Sequence, residues 1–174
     1  GEDLSAPVSD GYKVNVINSY DDPACDELVE GGNIVAFIGD VYYFSIEEAL
    51  AAANNGDVIK LRVDTTLVTA FNINKNIVID LTGKTLKIEA GDNHIGANTT
   101  VTIKNGTIVH ASNTAAIKVW NAVAFEDLVI DVQGKGDANK TIGGIVLQEG
   151  STTHVGSIKN VTIKGVALTN GIET

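Results

Sequence analysis

Ile77-Val78-Ile79-Asp80 is a short β-branched run, and near copies of it return as Val101-Thr102-Ile103-Lys104, Leu128-Val129-Ile130-Asp131 and Val161-Thr162-Ile163-Lys164. The third residues of these runs lie 24, 27 and 33 residues apart. A second set alternates with the first: His94-Ile95-Gly96-Ala97, Ala116-Ile117-Lys118-Val119, Gly144-Ile145-Val146-Leu147 and Gly171-Ile172-Glu173-Thr174. Its isoleucines are spaced by 22, 28 and 27 residues. Two interleaved strand families with such a period describe the turns of a solenoid. One turn is too thin to bury its own apolar side, so stacked turns must share a continuous core. The pattern predicts an inward row of Ile79, Ile103, Ile130 and Ile163, and a second of Ile95, Ile117, Ile145 and Ile172. Leu86-Lys87-Ile88 and Thr107-Ile108-Val109 are candidates for the strands that complete each turn. Unequal spacing argues against a left-handed hexapeptide coil, which needs a strict period. It suits an all-β, right-handed parallel β-helix of about four to five turns with loops of variable length. Both prolines precede residue 24, so none interrupts a stacked ladder.

Upstream of the repeats the pattern differs. Ser45-Ile46-Glu47-Glu48 is a capping box, in which the serine accepts from the backbone of Glu48 and Glu48 reaches back. Ile46, Ala49, Leu50 and Ala53 then follow at helical spacing and make one apolar stripe. Asn54-Asn55-Gly56 supplies a left-handed stop. The stripe is expected to lie as a lid across the first turn, where a bare β-helix would expose its core and unpaired backbone. Before the helix, Ile34–Ile38 and Val41–Phe44 flank Gly39-Asp40, which reads as a two-residue hairpin. Residues 1–33 read as an irregular arm, with one alternating run at Tyr12–Val16 as an edge strand. Residues 34–174 form the hairpin, capping helix and β-helix, in one domain overall.

Composition narrows the partners. Twelve basic residues against 22 acidic ones give a net charge of −10. That disfavours nucleic acid and anionic membranes, which both call for a basic face. No apolar run reaches the length of a bilayer span, so no membrane insertion is expected. The one cysteine, Cys25, has no intrachain partner, and no Cys/His cluster has zinc spacing. With no methionine present, a removed signal peptide and export to the cell surface or medium are the expectation.

Three segments carry a family resemblance. Tyr43–Ala53 with its capping box, the strand Gly56–Leu61, and the turn Ile77–Leu86 together resemble the pectin-lyase-like β-helix proteins found in secreted and cell-surface proteins of bacteria. The resemblance spans about residues 35–174. It implies a right-handed β-helix but no single activity, because that fold hosts lyases, hydrolases, adhesins and structural spikes.

Lyases of that kind use a basic residue, often arginine, with aspartates that hold calcium. The one arginine here, Arg62, alternates outward with Lys60 near the capped end, which reads as a solvated strand residue. Hydrolysis needs two facing carboxylates. Asp80 and Asp131 occupy equivalent repeat positions with Lys104 between them, which reads as a salt-bridged surface ladder. Asp92 and Asp137 sit in loops that could reach over a groove. Gly134–Asn139 offers Asp137 and Asn139 which, with Asp131, would make a weak calcium site. No other cofactor is implied.

The outward positions of the second family carry small residues, together with Trp120, Lys118 and Gln148. A flat aromatic face rimmed by amide and ammonium groups fits a sugar ring. His94 alone reads as a surface histidine. The leading expectation is thus a non-catalytic exported module that binds a polysaccharide or cell-surface glycan, or serves as a scaffold. Two readings compete with it: a polysaccharide lyase or glycoside hydrolase, and a structural unit that associates end to end through its uncapped C-terminal side.

Overall fold

The computed structural model describes residues 34–96, 99–112, 117–120, 122–134, 143–147, 156–165 and 170–173. The expected arm at 1–33, its strand at Tyr12–Val16 and Cys25 lie outside these residues.

The described residues begin with the expected hairpin. Strands β1 (Ala36–Ile38) and β2 (Val41–Tyr43) pair antiparallel around Gly39-Asp40. Gly39 has φ of 57°, a left-handed conformation that glycine adopts at no steric cost. The helix α1 (Ile46–Ala52) follows. Ser45 Oγ accepts from Glu48 N at 3.1 Å, and Glu48 Oε2 reaches back to Phe44 N at 3.2 Å, one residue before the cap. The C-terminal end differs from expectation. Ala53 is extended, with ψ of 144°, and the left-handed Gly56 comes three residues later. A different group satisfies the last carbonyls: Lys75 Nζ, from the next turn, donates to Ala51 O at 2.9 Å and Ala53 O at 2.6 Å. A cation at a helix C-terminus opposes the negative end of the dipole. Glu47 Oε1 accepts from Val68 N at 3.0 Å, so both ends of α1 are tied to the first turn.

From β3 (Val58–Leu61) onward the chain is a β-solenoid of stacked parallel coils. On one side lie β5 (Asn72–Ile73), β8 (His94–Ile95), β10 (Ile117–Val119), β12 (Gly143–Leu147) and β14 (Asn170–Glu173), a five-stranded sheet parallel throughout. On the other side β3, β6 (Ile77–Asp80), β9 (Thr100–His110), β11 (Ala122–Val132) and β13 (Ser157–Gly165) stack in parallel. The short strands β4 (Thr65–Leu67) and β7 (Thr85–Ile88) lie past a corner and continue into the second half of β9. The hairpin extends this larger sheet, since β1 pairs antiparallel with β3.

The corner explains where the repeat pattern misleads. Thr82, Asn105, Asp127 and Asn160 all have φ between 49° and 61°; the last three fall beneath one another in register, and Thr82 lies in the corresponding bend between β6 and β7. Asn and Asp tolerate this left-handed region better than most side chains. Each such residue turns the strand and switches which alternate positions face inward. In β9 the buried residues are Val101 and Ile103 before the corner, then Ile108 and His110 after it. In β11 they are Val123 and Phe125, then Leu128, Ile130 and Val132.

The expected single row of Ile79, Ile103, Ile130 and Ile163 is therefore two rows. Ile59, Ile79, Ile103, Phe125 and Ile158 stack before the corner. Leu86, Ile108, Ile130 and Ile163 stack after it. On the five-stranded sheet Ile95 aligns with Ile73 and Val119, while Ile117, Ile145 and Ile172 share a register, so that family also divides.

Polar groups hold the corners together. Asn105 Nδ2 donates to Asp80 Oδ1 at 3.1 Å, and Asn160 Nδ2 donates to Asp127 Oδ1 at 2.8 Å. At another corner Asn76 N donates to Asn55 Oδ1 at 2.8 Å, and Thr100 N donates to Asn76 Oδ1 at 2.7 Å. Backbone groups that leave the ladders at the bends are thus satisfied by the neighbouring coil. Close stacking leaves no room at Gly106, where a Cβ would stand 2.5 Å from Lys84 O.

Ile46, Ala49 and Ala53 of the lid are buried, and Leu50 packs half-buried against the same core. An Ala49→Asp substitution puts a carboxylate where the wild-type side chain is fully covered. It should lower unfolding free energy by about 3 kcal/mol. Chemical denaturation checks this; a midpoint equal to the parent's would show that α1 does not seal the coil.

Candidate functional site

The outward face of the five-stranded sheet brings together residues from successive coils. In register, Asn72, His94, Lys118 and Val146 form one column. Beside it, Gly96 N bonds to Ile73 O at 2.9 Å and Trp120 N to Ile95 O at 3.0 Å, which places Trp120 one coil beyond Gly96. A Cβ at position 96 would meet Asn74 Oδ1 at 2.3 Å, so a side chain there would have to displace the Asn74 amide. Asn74 thus lies across a gap that a side chain would fill.

Trp120 is half-buried and held by one specific contact. Its Nε1–H donates to His94 Nδ1 at 2.9 Å, and the two rings lie 6.2 Å apart at an interplanar angle of 23°. That bond requires a neutral imidazole with its proton on Nε2. The indole donor is engaged, so the ring offers its apolar face and fixes its own orientation. The histidine read from sequence as a lone surface group is the residue that sets the tryptophan. The signal lay in the register: residues 94 and 118 are paired, so 94 and 120 are diagonal neighbours within reach of long aromatic side chains.

Lys118 is not a loose donor. Its Nζ stands 2.5 Å from Asp92 Oδ1. Asp92, in a left-handed turn before β8, therefore joins the rim of this face, as its loop position allowed. Val146 departs from the expected open groove. It is outward by register, yet only 8% exposed, so the column is covered at that point. Gln148 lies outside the described residues.

The other candidates separate. Asp80 and Asp131 do not share a row, because Asp80 precedes the corner and Asp131 follows it. Asp80 accepts from Thr82 N at 2.9 Å and lies 3.8 Å from Lys104 Nζ. Asp131 instead pairs with Lys164 at 3.2 Å. In place of the expected Asp80–Lys104–Asp131 ladder, the register stacks Lys60, Asp80, Lys104, Glu126 and Lys159. Of the calcium candidates only Asp131 is described; Asp137 and Asn139 lie outside. Among the described residues no three His, Cys, Asp or Glu side chains gather as metal ligands. Arg62 follows β3, near the lid, and its N donates to Val35 O at 2.9 Å.

A half-open apolar cleft of about 280 Å³ lies under α1, lined by Leu50, Leu67, Phe71, Ile73 and Ile77. Its charged rim residues, Glu47 and Lys75, are the two that tie the lid down.

No family model, curated protein or solved structure matches the chain. Among the described residues no helix is long and apolar enough to cross a membrane.

One buried titratable group was not anticipated. His110 is fully covered in an inward row with Leu67, Ile88 and Val132. Neither ring nitrogen has a hydrogen-bond partner in good geometry. Burial lowers its pKa from 6.5 to about 4, with the nearby backbone of Ser112 and Ala90 opposing the shift. The folded state then binds fewer protons than the unfolded one between these values. The neutral ring's stability is fully present above pH 6.5 and is lost as pH falls towards 4, by about 3 kcal/mol in all. His110→Leu should remove this part of the acid sensitivity. Urea titrations of both proteins at pH 7 and pH 4 compare them; an unchanged stability difference would contradict the assignment.

Proposed function

We propose that the chain is a non-catalytic β-helix module of the pectin-lyase-like type, right-handed with four to five turns, from an exported protein that binds a cell-surface or matrix polysaccharide. The described residues build a β-solenoid of about three turns. The observation that carries the binding reading is the Trp120 ring, held in one orientation by His94 at 2.9 Å on an outward sheet face. A fixed aromatic plane stacks on the C–H face of a sugar without first losing rotamer freedom. His94, Lys118, Asp92 and Asn74 supply polar groups around it, and Gln148 belongs to the same proposed platform. The site is shallow, so affinity for a single sugar ring is weak and a polymer gains by engaging several coils.

Binding without cleavage is favoured because Asp80 and Asp131 are each committed to a lysine partner, on rows that do not face each other. The reading requires no cofactor. Calorimetric titration with pectate, alginate and xylan, with and without calcium, should give a millimolar-range constant for at least one polymer. Trp120→Ala should weaken it tenfold or more. Turnover of any of these polymers that a single carboxylate variant abolishes would replace this reading with the enzyme. Binding untouched by Trp120→Ala would remove the platform.

A further inference from the structure

The far edge of the larger sheet is β13, with β11 as its neighbour on the inner side. Its Ile158 aligns with the buried Phe125, yet is 48% exposed. Val161 and Ile163 align with the buried Leu128 and Ile130 and are themselves only partly covered. Among the described residues this edge therefore presents core-type side chains and one row of backbone donors and acceptors with no further strand on it, the template for another strand.

Charge specifies what fits there. Along the register Lys60, Asp80, Lys104, Glu126 and Lys159 alternate in sign at every step. After the corner Asp131 is followed by Lys164. Both sequences end on a lysine at the open edge, and the Lys164 side chain is 59% exposed.

A second copy fits poorly. The opposite end of the sheet is β2, which holds no acidic residue, and α1 covers the core beside it. Two β13 edges meeting directly would line four lysines along one seam, and like charges opposite one another destabilise a strand pair.

We propose that the β13 edge docks one further parallel β-coil whose strand carries an acidic residue opposite Lys159 and another opposite Lys164, with apolar residues opposite Ile158, Val161 and Ile163. This goes beyond the glycan reading and does not depend on it.

The chain itself supplies the probe. The segment Ala122–Val132 already pairs with β13 from the inner side, with Glu126 against Lys159 and Asp131 against Lys164. A fluorescent synthetic peptide of this sequence, with a neutral Gly-Ser tail, is titrated with the intact protein and followed by anisotropy. A control peptide carries lysine at the positions of Glu126 and Asp131. The acidic peptide should bind at least tenfold more tightly, and Lys159→Gln with Lys164→Gln should remove the difference. Lys159→Glu with Lys164→Glu should reverse the order; both lysines are exposed, and circular dichroism checks the fold. Equal binding of the two peptides, binding of neither, or self-association of the parent in sedimentation that the lysine variants leave intact would overturn the proposal.

Discussion

Every coil in this protein depends on lying in register on the one before it. An isolated coil has an apolar side with nothing to cover it and backbone groups with no partners. Parallel stacking resolves both, since each inward row continues from coil to coil and each strand bonds to its neighbours. The left-handed residues at the corner fix that register. Thr82, Asn105, Asp127 and Asn160 bend the strands at matching points, and the side chains of Thr82, Asn105 and Asn160 bond to the preceding coil. A shift by one residue would turn the inward row outward and misalign the bends as well.

The site follows from the same constraint. His94 and Lys118 share a register, which sets Trp120 diagonally above His94 and lets the indole N–H reach the imidazole. Gly96 keeps the space between Asn74 and Trp120 free of a side chain. Stacking also accounts for the alternating charges, since positions one coil apart stand close enough for opposite signs to attract. His110 is the exception within the core. It takes a place between Ile88 and Val132 that an aliphatic residue would fill without a desolvated ring.

The period, the hairpin and the lid were legible in the sequence because they rest on local signals: spaced isoleucines, a Gly-Asp turn and a capping box with an apolar stripe. The rows were not. Placing Ile103 with Ile130 assumes one alternation along the strand, and the reversal at Asn105 and Asp127 breaks it. Nothing in a β-branched run marks which side of a corner it occupies. The same error put Asp131 above Asp80. For the site, Trp120 and Lys118 were visible as chemistry, but their partners His94 and Asp92 lie 26 residues away and emerge only from the register. Lys75, which closes the helix C-terminus from the next coil, was hidden for the same reason.

The central claim is that the corner residue divides each long strand into two inward rows. Backbone cross-strand NOEs on the labelled protein test it most directly. The account predicts contacts of Ile103 with Phe125 and of Ile130 with Ile108. Contacts linking the backbone of Ile103 to that of Ile130 would restore the single row and contradict the corner.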